Sequence, residues 1–437
     1  MDKKQNWNSS LGFILASAGS AIGLGAIWKF PYIAGQYGGG AFLLEFVLFT
    51  LIIGLPLLMT EFSIGQTGGT YSTAIFGKLT PNKIMNGIGY LGNITAFILY
   101  SFYSVIGGWI IIFIGYYLLG SVGLIKEDIG FFPYMTTSPW LSLLGQFLFI
   151  AVTGHIVSSG IENGIEKASK VMMPLLLLLF MIIVVRSLTL DGAMAGVKYF
   201  LVPRFEDLSV EGTLYAMGQS FFALSLGTTG MITYASYTKQ ETNIFSSAGW
   251  IVMMNLLVSV LAGLAIFPAA SALGIKAEAG PGLLFIVLPQ LFSKLTFGTG
   301  FYILFLILFL FAALTSSISL LELNLSNVIK GREDKRRSAA LWLSLAVFIA
   351  GIPAALSFGV LNKVKFGAGT IFDNMDFMVT NIMMPLGVLL TTLFAGYVMK
   401  PEQLQRVMPK GFHFWYALIR YVLPVVIIIV FISQLMG

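Results

Sequence analysis

Three glycines, Gly19, Gly23 and Gly25, fall within seven residues of an otherwise apolar stretch. Each glycine costs a helix about 1 kcal/mol relative to alanine, so we expect the helix to break here. The carbonyls that end the first half-helix would suit a cation, and the N–H groups that open the second half would suit a carboxylate. Alternatively, such glycines let the helices of a membrane bundle pack closely.

A second interruption favours the binding interpretation. The segment from Ser225 to Gly230 holds two glycines and two threonines, and it interrupts another apolar stretch five spans further along the chain. Hydrocarbon offers unpaired backbone groups no partner, so a broken helix persists in a membrane only beside protein or a polar cavity. Paired breaks at corresponding positions of two halves indicate a transport site near the middle of the membrane.

The composition is that of a membrane protein. Of 437 residues, 57% are hydrophobic and 10% are charged, against about 25% charged residues in soluble domains. The chain has no cysteine, and its two histidines, His155 and His413, lie far apart, so we expect neither a thiolate metal site nor an enzyme. The net charge of +6 comes from basic residues in short loops rather than in one patch, which argues against a nucleic-acid partner.

The fold class predicted from the sequence is an all-α membrane protein with eleven transmembrane helices. Each apolar segment is long enough to cross a bilayer. The loops on the side of the N-terminus hold about twice as many lysines and arginines as the other loops, which predicts a cytoplasmic N-terminus and an external C-terminus. The segments lie near 11–37, 41–66, 87–121, 140–158, 166–186, 212–237, 244–272, 299–329, 338–358, 371–398 and 413–435.

Two further features concern access to the site. Gly164 and Pro174 bracket the cytoplasmic entry of the fifth span, where the helix could unwind and admit water or could simply kink at the proline. The external loop 273–298 contains Pro281 and a short apolar run over 283–291, which predicts a re-entrant or capping hairpin.

Six motifs, in the right order and in the right spans, resemble the neurotransmitter:sodium symporter family. The resemblance covers essentially the whole chain. The motifs are GSAIGLGAIWKFPY at 19–32, GGGAF at 38–42, GLPLLMTEFSIGQ at 54–66, SLGTTGMITYASY at 225–237, ALTSSISLLE at 313–322 and DNMDF at 373–377.

The resemblance implies a bacterial plasma-membrane symporter that uses sodium to import hydrophobic L-amino acids by alternating access. A membrane receptor that binds the same solute without moving it is the alternative. The weak segment between Gly164 and Pro174 favours transport, because a receptor needs no inward exit for an ion. Whether two chains form a homodimer is left open. The resemblance also implies one transporter domain over 1–437, with inverted repeats over 11–186 and 212–398, broken helices 1 and 6, and an additional span at 413–435.

Two sodium sites follow from the resemblance. A hard cation suits ligand sets made of oxygen atoms. The second site matches the family in full, with the carbonyls of Gly19, Ile22 and Ala312 and the hydroxyls of Thr315 and Ser316. The first site has lost two side-chain ligands, because the family's asparagine and hydroxyl residue are Ala26 and Ala223 here; its ligands would be the Asn255 side chain and the carbonyls of Ala21 and Ala223.

The resemblance also implies a substrate site for a zwitterion. Gly23 stands where amine transporters of the family have aspartate, which leaves room for the carboxylate of the substrate. The implied carboxylate ligands are Leu24, Gly25 and Tyr103, the ammonium ligands are Ala21, Phe222, Ala223 and Ser225, and the side-chain pocket is Leu99, Phe222, Thr228 and Leu320, with Ser316 beside it. This pocket is mostly apolar, as ligand pockets usually are.

The gates of the family match in part. Lys29 and Asp376 would form the outer gate, with lysine replacing the usual arginine, above a lid of Tyr103 and Phe222. Trp7, Ser236 and Tyr237 match the inner gate, but Lys330 stands at the position of its aspartate, so that Glu333 or Asp334 is the expected substitute. Glu61 and Glu322 lie within spans and receive no predicted role.

Chloride is not expected as a cofactor. Phe46 and Ala223 have lost two of the hydroxyls that hold chloride in dependent members, whereas Asn255 and Ser259 remain. A carboxylate inside a membrane is costly and usually functional. We therefore expect Glu45 to supply the negative charge that balances the sodium ions; the alternative is that it caps the outer end of its helix.

Overall fold

The computed structural model describes residues 5–23, 25–125, 130–274, 285, 288–293, 296–407 and 411–436. Within these ranges the chain is built from helices, and an isolated bridge joins Phe366 to Gly369. The all-α prediction is therefore confirmed.

The helices are numbered in chain order. Helix α1 (Ser10–Ala21) and α2 (Gly25–Gln36) form a pair bent by 53°. The others are α3 (Gly40–Gly68), α4 (Ser72–Leu79), α5 (Lys83–Ser121), α6 (Phe131–Thr137), α7 (Pro139–Ser158), α8 (Ile161–Leu188), α9 (Ala193–Leu201), α10 (Val210–Phe222), α11 (Gly230–Ser236), α12 (Ile244–Ala272), α13 (Leu288–Ser293), α14 (Gly298–Ile329), α15 (Glu333–Ala355), α16 (Ile371–Val398), α17 (Pro401–Val407) and α18 (Phe412–Met436).

Nine of the described helices are long and apolar enough to cross a membrane, and the bent α1–α2 pair adds a tenth span. The sixth predicted span is divided into α10 and α11, neither of which has the length of a span. The count of eleven thus depends on taking these two helices as one broken span, and it stays a prediction. The prediction of a hairpin over 283–291 falls partly outside the described residues, because only Phe285 and residues 288–291 of this run, within α13, are described.

The first helix breaks where the glycines predict. Ser9 caps α1 by accepting a hydrogen bond from the Gly12 N–H, and the helix ends at Ala21. Ile22 leaves the helical conformation, with φ −81° and ψ 70°, before the chain resumes as a π-helical turn at Gly25.

The second break is longer and needs a left-handed backbone. Between α10 and α11, Ser225, Gly227 and Thr229 have φ values of 55°, 86° and 60°. A Cβ on Gly227 would overlap the carbonyl oxygen of Met384. Glycine is therefore required here for two reasons, its positive φ and the close approach of α16.

Helices α5 and α14 lie in the middle of the bundle, and α18 lies at its edge. In the most apolar 18-residue stretch of α14, 72% is buried inside the protein, whereas the corresponding share in α18 is 28%. The exposed apolar residues of α18 include Val425, Ile429 and Ile432. A helix that is apolar on an outward face in a membrane protein presents that face to lipid.

Candidate functional site

The two helix breaks face each other and share a neighbour in α14. The Ser225 hydroxyl donates a hydrogen bond of 2.8 Å to the Ser20 carbonyl, which joins the sixth span to the first. The Ser316 hydroxyl lies 3.2 Å from the same carbonyl and 3.4 Å from that of Gly19. Three segments far apart in sequence therefore meet at one polar point inside an apolar bundle.

The structure brings together most residues of the predicted second sodium site. The Thr315 hydroxyl donates to the Ala312 carbonyl at 3.0 Å, and Ser316 reaches the Gly19 carbonyl. A Cβ on Gly19 would lie 2.8 Å from the Thr315 Cβ, so only glycine permits this approach. Ile22, the remaining member, is fully buried just after the end of α1. The donor set contains only oxygens and therefore fits sodium, a hard cation.

The first sodium site retains one distinctive feature. Asn255 on α12 donates its amide N–H to the Ala223 carbonyl at 2.8 Å, and it is fully buried. Its Oδ1 atom has no hydrogen-bond partner among the described residues. The Ala21 carbonyl accepts a hydrogen bond from the Gly23 N–H at 3.0 Å. An unpaired buried amide oxygen is costly, and a bound cation would satisfy it.

Gly23 has no room for a side chain. A Cβ at this position would overlap the Ser316 hydroxyl and would lie 3.3 Å from the hydroxyl of Tyr103. The two hydroxyls and the Gly23 backbone thus surround a small volume at the first break. Leu24, the first predicted carboxylate ligand, lies outside the described residues. Gly25 packs against the Phe222 ring, which would be 3.2 Å from a Cβ there.

The predicted side-chain pocket draws on three spans. Leu99 and Tyr103 are one turn apart on α5, and Ser316 and Leu320 are one turn apart on α14, so each pair shares a helix face. The Thr228 hydroxyl donates to the Ser225 carbonyl at 3.2 Å and accepts from the Gly230 N–H at 3.3 Å. Thr228 thus also holds the conformation of the break, a role that the sequence did not indicate.

At the predicted outer gate, the structure has a cation–π contact rather than a close ion pair. The Lys29 ammonium lies 4.3 Å from the centre of the Phe222 ring. Lys29 and Asp376 interact electrostatically, but within the described ranges they form no ion pair of 4.0 Å or less. Lysine lacks the planar fork with which arginine would bind both carboxylate oxygens.

The inner gate centres on Glu322, to which the sequence assigned no role. Tyr237 donates its hydroxyl to Glu322 at 2.8 Å, and two nitrogens of Arg336 bind the same carboxylate at 2.8–2.9 Å. Lys330 is exposed at the end of α14. Glu333, one expected substitute for the missing aspartate, instead lies 3.3 Å from Arg336. The charged pair near the predicted inner gate therefore joins Glu322 within α14 to Arg336 in the first turns of α15.

Trp7 connects the N-terminal segment to this gate. Its indole N–H donates to the Tyr234 carbonyl at 2.8 Å, and its backbone N–H donates to the Tyr237 carbonyl at 3.2 Å. Lys4 lies outside the described residues. The predicted contact between Trp7 and the end of the sixth span is thus present in the structure.

A second anchor of the N-terminal segment, Glu166 on α8, was missed. Its carboxylate accepts hydrogen bonds from the Asn8 N–H and the Ser9 hydroxyl, both at 2.8 Å, and from Lys170 at 2.6 Å. A Cβ on Gly12 would overlap this carboxylate, so α1 packs directly on it. Glu166 lies inside the predicted weak segment, which is a π-helix over Ile161–Glu166 that continues as an α-helix through Pro174. Its unwinding stays a prediction.

Glu61 on α3 supports the second break. Its Oε1 atom accepts a hydrogen bond of 2.8 Å from the Gly227 N–H, and the residue is 2% exposed. The freed backbone of a broken helix needs such a partner at membrane depth. The sequence showed a carboxylate inside a span, which indicates that a partner is needed. It could not show that the partner is the Gly227 N–H, 166 residues away.

The expectation for Glu45 is wrong. Glu45 is half-buried and accepts a hydrogen bond of 2.6 Å from Thr213 in the first turn of α10. Ala223 lies ten residues further along, which is about 15 Å at 1.5 Å per residue. A charge at that distance cannot be the close counter-charge of the first sodium site. Its neighbour Phe46 is fully buried and packs on Phe30, with ring centres 4.7 Å apart.

Comparison with known proteins identifies the family. The sequence model of the sodium:neurotransmitter symporter family matches residues 4–124 and 142–437. The chain belongs to this family. Among its relatives, the sodium-dependent transporter YhdH of Bacillus subtilis is 47% identical, with 99% of this chain and 98% of that protein covered. A sodium-dependent transporter of Haemophilus influenzae is 34% identical, with 99% and 98% covered.

A solved structure extends the likeness to the fold. The crystal structure of MhsT in complex with L-phenylalanine matches with a TM-score of 0.90 and 38% identity, covering 99% of this chain and 100% of that chain. The family recognised from the motifs is thus confirmed. This symporter-family chain is a multi-pass membrane protein of a sodium-dependent transporter family, and its relatives are transporters rather than enzymes.

Proposed function

We propose that this protein imports hydrophobic L-amino acids with sodium by alternating access, in a bacterial plasma membrane, with its N-terminus in the cytoplasm and its C-terminus outside. The observation that carries the proposal is the closed space around Gly23, beside the hydroxyls of Ser316 and Tyr103. No acidic side chain fits there, so the negative group at this point must come from the substrate. The complex of MhsT with L-phenylalanine supports the same class of solute.

The two sodium sites give the coupling a physical basis. Sodium at the first site would be held by Asn255, by the carbonyls of Ala21 and Ala223, and by the carboxylate of the substrate itself. Binding of ion and substrate would then be mutually favourable, because each supplies charge to the other. Sodium at the second site would join α1 to α14 through Gly19 and Ser316. That link would stabilise the inward-closed conformation until the ion leaves.

The pocket argues for apolar side chains. Leu99, Phe222 and Leu320 offer apolar surface, and the hydroxyl of Thr228 is used within the break. A charged substrate side chain would find no counter-charge among these residues, and burial of an unpaired charge costs several kcal/mol. Leucine, phenylalanine and similar solutes are therefore the expected substrates.

The proposal is tested by uptake into proteoliposomes under an inward sodium gradient, with choline as the control cation. We expect wild-type uptake of leucine or phenylalanine to need sodium, and the double variant Thr315→Ala/Ser316→Ala to abolish it. Thr153→Ala is a matched control, since Thr153 is a buried hydroxyl that bonds to Ser317 on α14, which is not one of the predicted ligands. Sodium-driven uptake by the double variant at the wild-type rate would refute the second site.

A competition experiment tests the substrate class separately. Phenylalanine should displace labelled substrate, whereas phenethylamine, which lacks the carboxylate, should compete at least about tenfold more weakly, because a hydrogen bond to a charged group contributes about 1.5–3 kcal/mol. Equal competition by the amine would show that the carboxylate argument from Gly23 is wrong. Binding without uptake would favour the receptor alternative.

A further inference from the structure

An arginine lies inside the last span, away from the transport site. Arg420 is in the π-helical turn Leu418–Val422 of α18, eight residues after its start at Phe412. Eight residues correspond to about 12 Å of helix. The 25 residues of α18 extend about 37 Å, against about 30 Å of hydrocarbon, so the Arg420 backbone lies about 8 Å inside the nearer boundary.

Three tyrosines surround its guanidinium group. The central carbon of the group lies 5.1, 5.8 and 5.5 Å from the ring centres of Tyr397, Tyr416 and Tyr421. Its Nη1 atom donates to the Tyr416 hydroxyl at 3.3 Å. Tyr416 is one turn closer to Phe412, so the side chain is directed back by about 5 Å toward the nearer membrane boundary.

The positive charge is not balanced by a carboxylate in the described part of the chain. None of the ion pairs found there includes Arg420, and its Nε atom has no hydrogen-bond partner in that part. Cation–π contacts offset only part of the cost of a charge at this depth. Nε is therefore a buried donor without an acceptor among the described residues, and the charge of the group is left without a protein counter-charge there.

The site lies where α18 packs on the end of α16, and two of its rings face outward. Tyr397 and Tyr421 are 54% and 62% exposed, and α18 is the least buried of the long spans. In the proposed orientation, Phe412 lies at the cytoplasmic side. The preceding linker carries Lys400, Arg406 and Lys410, with Glu402 as its acidic residue. Basic residues that flank a span in the sequence attract the anionic lipids of the cytoplasmic leaflet, by about 1 kcal/mol for each lysine or arginine near the surface.

We propose that Arg420, within the ring of Tyr397, Tyr416 and Tyr421, binds the phosphate of an anionic glycerophospholipid in the cytoplasmic leaflet. The guanidinium fork matches phosphate oxygens geometrically, and the tyrosine rings hold it in a fixed orientation. The exposed rings of Tyr397 and Tyr421 would contact the upper acyl chains. The lipid would supply the counter-charge that the protein lacks at this point.

Native mass spectrometry of the full-length protein tests this site. The protein is titrated with dioleoyl phosphatidylglycerol and, separately, with dioleoyl phosphatidylcholine. We expect the wild type to bind phosphatidylglycerol about fivefold or more tightly than phosphatidylcholine, in line with one additional charge contact. Arg420→Gln should remove that preference, and Arg420→Lys should retain part of it because the charge remains.

A matched arginine controls for general charge effects. Arg186, in the last turn of α8, also lies near an aromatic ring. Its guanidinium carbon is 5.9 Å from the centre of the Phe301 ring, and its Nη1 atom donates to the Thr189 hydroxyl at 3.2 Å. Arg186→Gln should leave the lipid preference unchanged. If Arg420→Gln does not fold, Tyr421→Leu keeps the charge, removes an exposed ring and should still reduce the preference.

Several outcomes would overturn the proposal. They are equal binding of the two lipids by the wild type, an unchanged preference in Arg420→Gln, or an equal loss in Arg186→Gln. Dimers that depend on Arg420, in place of lipid adducts, would instead assign the ring to contact with a second copy. The measurement does not involve sodium or amino acid, so its failure is independent of the proposed transport.

Discussion

In the proposed orientation, the cytoplasmic and outer faces of this symporter-family protein are closed by different kinds of contact. Inside, Glu322 and Arg336 form a bidentate ion pair and are 0% and 4% exposed. The Tyr237 hydroxyl donates a hydrogen bond to the same carboxylate. Outside, Lys29 rests on the Phe222 ring. Breaking a buried ion pair by removing one partner costs about 3–5 kcal/mol, whereas a cation–π contact contributes about 0.5–2 kcal/mol. The outer face should therefore open more readily.

The N-terminal segment adds to this asymmetry. Glu166 and Trp7 anchor it to α8 and to the end of α11, with hydrogen bonds of 2.8 Å on both sides. To open the inner side, the first half-helix must lose these bonds together. In the proposed transport cycle, release of sodium to the cytoplasm is then the step most sensitive to mutation, and variants that affect it test this comparison most directly.

Replacing Glu322 by alanine should have the largest effect. Arg336 would remain buried with only the more distant Glu333 beside it, at a cost of about 3–5 kcal/mol, and the inner face should open. The chain has no native cysteine, so a single cysteine at Ser236, which is 2% exposed, reports access from the cytoplasm. We expect maleimide to label it at least about tenfold faster in Glu322→Ala.

The double variant Glu322→Gln/Arg336→Gln is the control for that experiment. It removes both buried charges and leaves only the partly exposed Glu333 without Arg336, so its melting temperature should lie between those of the wild type and Glu322→Ala. If labelling of Cys-substituted Ser236 is the same in all three proteins, the ion pair does not close the inner face.

Glu166→Gln should have the next largest effect. Glutamine keeps an acceptor for Asn8 or Ser9 but loses the charge that attracts Lys170, and hydrogen bonds to a charged group contribute about 1.5–3 kcal/mol. We expect faster labelling at the same reporter and weaker sodium-dependent substrate binding. Glu162→Gln, an exposed position on the same π-helix, is the matched control and should behave as the wild type. Equal behaviour of the two variants would contradict the anchoring role.

Lys29→Arg should strengthen the closure of the outer face. Arginine can bind both oxygens of Asp376 where lysine rests on Phe222, so the outer gate should hold more firmly. A gain of about 1 kcal/mol would slow dissociation of labelled substrate about fivefold. The same substitution in an Asp376→Asn background should have little effect on that rate. A faster rate in Lys29→Arg would mean that the Phe222 contact is the stronger closure.

The breaks in the first and sixth spans could be predicted from the sequence because glycine acts locally. Gly23 and Gly227 are required by backbone conformation or by close approach, and both properties depend on the residue itself. The meeting of Gly19 with Thr315 and Ser316 followed from the family resemblance, and the hydrogen bonds agree with it.

The partners of the buried carboxylates could not be predicted. A carboxylate inside a span shows that a partner is needed, but the partners of Glu166 lie at the start of α1, and that of Glu61 is the Gly227 N–H between α10 and α11. Such contacts depend on how distant helices pack. At Lys330 the sequence showed that the family's aspartate is replaced. It did not show that Arg336 and Glu322 form an ion pair nearby.

Glu45 provides the last and smallest test. Adjacent residues on a helix point about 100° apart, so with Phe46 buried in the core, Glu45 faces Thr213 near the outer end of α10. At about 15 Å and an effective dielectric near 20, its charge contributes about 1 kcal/mol at the predicted first sodium site before screening, against about 4 kcal/mol at 4 Å.

We therefore expect Glu45→Gln to change sodium-driven uptake less than about twofold, whether the medium contains chloride or gluconate. Thr213→Val, which removes the partner hydroxyl, should have an equally small effect. A strong loss of uptake in Glu45→Gln that chloride restores would mean that the carboxylate approaches the ion in another conformation, and that the outer face rearranges more than its weak closure implies.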